Sequence, residues 1–143
     1  MRVFSSLAIL IASLVGSQCV HASNLDACLK EKLDPLELVA IDDGNHRVFA
    51  VWEGITAISP EELTPVILGI EACMPEDSAW KTSYSLSVFS NSEMAGYKTD
   101  PKVRLAIKSG QWRQSYLAEY DRAENELILS PAVSSRRHSI PRQ

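Results

Sequence analysis

The pair Cys28 and Cys73, 45 positions apart, constrains this chain more than any other feature. An export signal precedes it. Arg2 supplies the positive start, Leu7 to Val15 is an apolar run broken only by Ser13, and Val20-His21-Ala22 offers the small residues that signal peptidase needs. A bilayer takes roughly 20 consecutive apolar residues to cross, so this run is too short to anchor the protein. Cleavage after Ala22 is expected, with no stable membrane insertion afterwards. Cys19 leaves with the signal, and Gln18, neither small nor apolar, disfavours lipid attachment at that cysteine. Two cysteines then remain in a periplasmic or extracellular setting where thiols oxidise, which predicts a Cys28–Cys73 disulfide. Closing a loop of that length stabilises a fold by roughly 3 to 4 kcal/mol.

Removing residues 1–22 leaves 121 of the 143, the size of one domain with a real core. The expected organisation is a signal peptide at 1–22, one domain at 23–133 and a mobile basic tail at 134–143. Without Arg2 the chain carries 13 basic against 18 acidic residues, and Arg136, Arg137 and Arg142 all lie in the last eight positions. The body is therefore acidic. Nucleic-acid affinity comes mostly from neutralising phosphates, so nucleic acid is an unsuitable partner, whereas a basic protein would suit such a surface.

Periodicity and punctuation predict the elements. Ser23 to Asp26 begins a helix that carries Leu25, Cys28, Leu29 and Lys32 on one face and ends near Asp34-Pro35. Leu36–Ile41 and Arg47–Glu53 read as a hairpin through Asp42-Asp43-Gly44-Asn45, with glycine supplying a positive φ. Trp52 should join the core. Ser59-Pro60-Glu61-Glu62 has the features of a helix start, but Pro65 would fall inside that helix and remove a hydrogen bond. A single turn at 60–63 and a helix from Pro65 to Met74 avoid that cost.

Thr82 to Phe89 alternates, which predicts a strand with one wet face. Asp100-Pro101 starts a third helix that stops at Gly110, and Gln114–Tyr120 with Glu126–Ser130 forms a second hairpin. The resulting order, α-β-β-α-β-α-β-β, suits an α+β fold, an antiparallel sheet of about five strands with helices on one face.

No catalytic signature emerges. His21 leaves with the signal, His138 lies in the tail, and His46 sits beside a turn. The cysteines are committed to the disulfide, and no Gly-x-Ser-x-Gly elbow marks a serine nucleophile. No cluster of ligands suggests zinc, Asp42-Asp43-Gly44-Asn45 is too short for a calcium loop, and scattered glycines give no phosphate loop. No cofactor or metal is expected.

Two surface sets stand out. Glu61, Glu62, Glu71, Glu76 and Asp77 concentrate negative charge around the second helix, where favourable placement near a helix start also accounts for part of it. Trp112, Arg113, Tyr120 and Asp121, with Tyr116 and Glu119, place interface-forming residue types on and beside the last hairpin. Trp80, Tyr84 and Phe89 read first as core packing, and as the lining of a ligand pocket if the sheet is concave there.

In compartment, size and charge the chain resembles small periplasmic proteins, including inhibitors and immunity proteins that neutralise lysozymes or delivered toxins, although no motif carries that resemblance. The expectation is a non-catalytic binding protein of the bacterial cell envelope, of inhibitor or immunity type, whose acidic surface neutralises a partner protein. A small-ligand carrier using the sheet around Tyr84 and Leu86 is the alternative, and a carboxylate-dependent hydrolase the second.

Overall fold

Leu25, Leu29 and Leu33 recur at helical spacing and are all nearly or fully buried, which fixes the first helix against the rest of the molecule. The structure is a computed structural model describing residues 18–104, 110–132 and 136–142. Helix α1, Gln18–Lys32, runs without interruption across the expected cleavage point. Residues 1–17 of the predicted signal lie outside the described residues.

Strands β1 (Glu37–Asp42) and β2 (Arg47–Val51) form the expected hairpin, but the positive φ falls on His46 (49°) and not on Gly44. The turn is held by the Asp42 carboxylate, which accepts from the Asn45 amide side chain at 2.8 Å and from the Asn45 backbone N–H at 3.2 Å. With those bonds made, glycine's freedom is not needed. The His46 ring meets Trp80 edge-on at 5.3 Å.

Helix α2 is continuous over Pro60–Glu71, with Pro65 inside it, so the predicted break at 63 does not occur. Ser59 Oγ accepts from Glu62 N–H while the Glu62 carboxylate accepts from Ser59 N–H, a complete capping box. Leu63, Val66, Ile67 and Ile70 bury one face. That burial and the cap outweigh the single hydrogen bond that Pro65 removes. Cys73 lies just past the helix and is partly buried, and its disulfide to Cys28 (Cα–Cα 5.6 Å) ties α1 to the end of α2.

Residues 79–83 form a short helix, α3 (Ala79–Ser83), so Thr82 and Ser83 are helical and β3 covers only Ser85–Phe89. All five strand residues are buried, so the strand has no wet face. Helix α4 (Gln111–Ser115) leads into β4 (Tyr116–Asp121), which pairs with β5 (Glu126–Leu129). Between β3 and α4, residues 101–104 are helical, and the remainder of the predicted third helix lies outside the described residues.

The sheet has six strands in sequence order, β1-β2-β3-β4-β5-β6. It is mixed, since β2 and β3 are parallel while the other neighbours are antiparallel. The physical reason is the long connection through α2 and α3, which returns the chain to the end of the sheet where β2 began. The sixth strand, β6 (Arg136–Ser139), replaces the predicted mobile tail. Its local pattern is polar, but the outer edge of β5 supplies backbone partners, and Arg137 pairs with the Glu126 carboxylate. Ile140 beyond it is 3 % exposed, and the Asn125 side-chain amide donates to its carbonyl at 3.1 Å.

The class is α+β, with α1, α2 and α3 on the first face of the sheet. There they meet Val48, Ala50, Leu86, Val88, Ala118, Tyr120 and Leu127 in the main core. Part of the second face is covered by residues from the 91–97 loop and from α4. Met94 and Ala95 close over Phe49, Phe89 and Tyr116 in a smaller core, with Tyr97 and Trp112 packed against it. Covering on both faces explains why neither β2 nor β3 shows an exposed row.

Candidate functional site

The second face of the sheet carries the densest set of polar and aromatic side chains. Alternation directs Arg47 and Phe49 of β2 and Ser85, Ser87 and Phe89 of β3 to that side, and a bulge in the β3–β4 pairing between Val88 and Phe89 brings both Tyr116 and Glu119 of β4 to it. Phe49 stands opposite Ser87, and Ser87 opposite Glu119. The serines are small enough for the Arg47 side chain to lie across them. Its guanidinium donates to Ser87 Oγ at 3.0 Å and continues to the Glu119 carboxylate at 3.1 Å, linking β2 to β4 over β3.

Aromatic rings wall this array. Tyr116 stacks on Phe89, 4.6 Å between centroids and 6° between planes, and its hydroxyl donates to the Glu119 carboxylate. Burial first, and then the negative charge of Glu119, push the Tyr116 phenol well above its ordinary value, so it stays a neutral donor. Tyr97 meets Phe49 edge-on at 5.0 Å, lies 5.7 Å under the Arg47 guanidinium, and donates its hydroxyl to Asp42 at 2.6 Å. The Asn45 side-chain amide, and next the Tyr97 hydroxyl, hold the Asp42 carboxyl below its usual range. Trp112 packs tilted on Tyr116 at 5.3 Å and on Phe89 at 6.3 Å. Its indole N–H is buried with no hydrogen-bond partner.

Between these rings lies a recess of about 190 Å³, bounded by Arg47, Phe49, Ser87, Phe89, Gly96, Tyr97, Lys98, Trp112 and Tyr116. Lys98, Trp112 and Tyr116 also wall a more open depression of about 560 Å³ with Arg113, Glu119, Pro131 and Ala132. A third hollow of about 640 Å³ lies apart from these, between α2 and β6. It is lined by Pro60, Glu61, Thr64, Pro65, Leu68, His138, Ser139 and Pro141.

The predicted site residues do not all converge. Trp112 and Arg113 wall the depression on the second face, and the Arg113 guanidinium donates to the Ala132 carbonyl at 3.0 Å. Tyr120 points the other way and is 1 % exposed in the main core. Asp121 accepts from Ala123 and Glu124 N–H and so holds the hairpin turn.

Of the acidic set, Glu62 caps α2, Glu71 pairs with Arg122 at 3.0 Å, and Glu76 pairs with Lys81 at 2.8 Å. Asp77 occupies an exposed turn with φ 56°, and Glu61 is exposed on the third hollow. Much of that charge is therefore met within the molecule. Tyr84 and Leu86 are buried under α2, so the face around them is filled by core.

Sequence reasoning missed Arg47, Tyr97 and Lys98. The alternation of Arg47 with Phe49 was a usable signal, because it puts a cation and a ring on one face. Tyr97, an aromatic in a loop rich in polar residues, was another.

Among the described residues no three His, Cys, Asp or Glu side chains come together to hold a metal, and no helix is long and apolar enough to cross a membrane. The arrangement offers rings, hydrogen-bond donors and a committed carboxylate. Set against known proteins, the chain matches no family model, no curated protein and no solved structure.

Proposed function

We propose that this chain is a non-catalytic binding protein of a periplasmic or secreted setting, of the inhibitor or immunity type, which engages a partner protein through the second face of its sheet. The observation that carries this reading is the grouping of Trp112, Tyr97, Tyr116, Arg47 and Arg113 around two depressions that share Lys98, Trp112 and Tyr116 as walls. Trp, Tyr and Arg anchor protein interfaces because they bury large areas while keeping a polar tip to satisfy. The Cys28–Cys73 disulfide fits an oxidising compartment. Net negative charge on the body steers a basic partner from a distance, while the contact itself is made at the aromatic face and not at the acidic end of α2.

The test is affinity capture from envelope extract with the disulfide-bonded protein and two charge-changed variants. Arg113→Glu on the second face is expected to abolish capture of a single stoichiometric partner, and Glu61→Lys with Glu76→Lys to leave it intact. Capture that survives Arg113→Glu but is lost in the double variant would return the contact surface to α2. Absence of any stoichiometric partner would sink the reading.

A further inference from the structure

The sheet ends at β6 in a backbone edge with no strand beyond it, and α2 stands over that edge across an open hollow of about 640 Å³. His138 lies opposite Leu127, a residue of the main core, so the His138 side of β6 faces α2. From α2, Thr64, Pro65 and Leu68 face His138 and Pro141 across the hollow. Leu68, 36 % exposed, is the one large apolar side chain left exposed among the described residues. A further strand placed about 4.8 Å beyond β6 turns alternate side chains toward α2 and into this hollow.

The two edges of the sheet are not equivalent. The β1 edge is bulged between Leu38 and Ala40, and a bulge turns an edge away from further pairing. The β6 edge keeps an unbroken register against β5 from Arg136 to Ser139, so its outer side is regular enough to accept a strand. Charge then decides which strand. Arg136, Arg137 and the nearby Arg142 are exposed, and Glu126 is the only acid in β5 and β6. Like charges on neighbouring strands are destabilising, so the β6 edges of two copies oppose each other, whereas an acidic strand suits this edge. The hollow holds one acid of its own, Glu61. It reserves the inward positions for apolar side chains and leaves the acids to the opposite face, beside Arg137.

From this we infer that the β6 edge is a docking site for an extended acidic segment of a partner protein, added as a further strand with alternate apolar side chains seated between α2 and β6. The contact shares no residue with the depressions of the second face and does not depend on them.

The probe is a short, end-blocked peptide of alternating glutamate and leucine, labelled with a fluorophore and titrated into the disulfide-bonded protein. Backbone amide shifts by NMR locate the contact and should centre on Arg136–Ser139. The matching lysine–leucine peptide is expected to bind about tenfold more weakly. Methylating alternate backbone nitrogens of the acidic peptide separates strand addition from charge attraction alone. One pattern removes the N–H groups that face β6 and should abolish binding, while the other removes the outward ones and should leave it nearly unchanged.

Leu68→Ala, an exposed change that should leave the fold intact, is expected to weaken binding by about fivefold through lost apolar contact. Equal binding of the acidic and basic peptides, an equal effect of the two methylation patterns, an unchanged affinity in Leu68→Ala, or no binding at about 1 mM peptide would each overturn the proposal. A dimer of the peptide-free protein in sedimentation that Leu68→Ala dissolves would also overturn it, because a second copy would then hold the edge. Capture by the second face and peptide addition at β6 are read on separate residues, so either can fail while the other stands.

Discussion

Replacing Cys28 and Cys73 by serine should lower global stability by an amount that the chain separation fixes. The bond closes a loop of 45 positions that contains β1, β2 and α2. In the loop-closure account the unfolded chain regains about 13 cal/mol/K when such a bond is cut, close to 4 kcal/mol at 25 °C. For a domain of this size the unfolding entropy is about 0.25 kcal/mol/K, so the melting temperature should fall by roughly 15 °C.

The folded state should survive, because α1 is also held by Leu25, Leu29 and Leu33, none more than 4 % exposed. The assay is urea unfolding by tryptophan fluorescence and far-UV circular dichroism, on the double variant and on the native protein with and without reductant. Both probes should shift together, and reduction should reproduce the variant. A loss under about 1 kcal/mol would show that the unfolded chain is already restrained near these residues, contrary to the premise of the entropy estimate. Loss of amide protection confined to α1, with the rest unchanged, would show a local clamp and refute the global account.

Two further predictions concern residues whose charge or cap is engaged inside the molecule. Ser59→Ala should cost about 1 kcal/mol in urea unfolding by removing the α2 cap, and Glu62→Gln less, because its side-chain oxygen can still accept from Ser59 N–H; a larger loss in Glu62→Gln would contradict the capping role. Asp42, whose carboxyl is held below its ordinary value of 3.8 chiefly by Asn45, contributes stability that is present above that value and is lost as the pH falls through the lowered one. The stability gap between the native protein and Asp42→Asn should therefore be widest above pH ~5 and narrow in more acidic solution, and a gap constant across acid unfolding would remove the charge as its cause.

Much of the frame was legible locally. The first helix and both hairpins follow from periodicity and turn residues, set by neighbours within a few positions, and the disulfide follows from the cysteine count once the signal is removed. Legibility failed where distant parts of the chain decide. Ser85 and Ser87 look like a solvated row, yet they are 8 % and 0 % exposed; Arg47, opposite Ser85 on β2, reaches across to Ser87, and Met94 and Ala95 close over the neighbouring Phe49 and Phe89 from elsewhere. Pro65 looked like a helix breaker until the buried face of α2 was set against one lost bond.

The site divided in the same way. Trp112 and Arg113 were recognisable as interface residue types, but Tyr120 was placed with them on type alone, and strand alternation turned it inward. The acidic residues around α2 stood out as a charge cluster, and the partners that meet their charge, Arg122 and Lys81, come from other elements.

By itself the sequence determined the covalent link, the α+β class and the positions of most elements, because these depend on residue type and short-range spacing. The tertiary structure alone decided that β2 and β3 run parallel, that Arg136–Ser139 completes the sheet, and that Arg47, Tyr97 and Trp112 enclose one recess. A free strand edge, a crossover and a shared cavity are properties of segments brought together from far apart, and local pattern carries no record of which segments will meet.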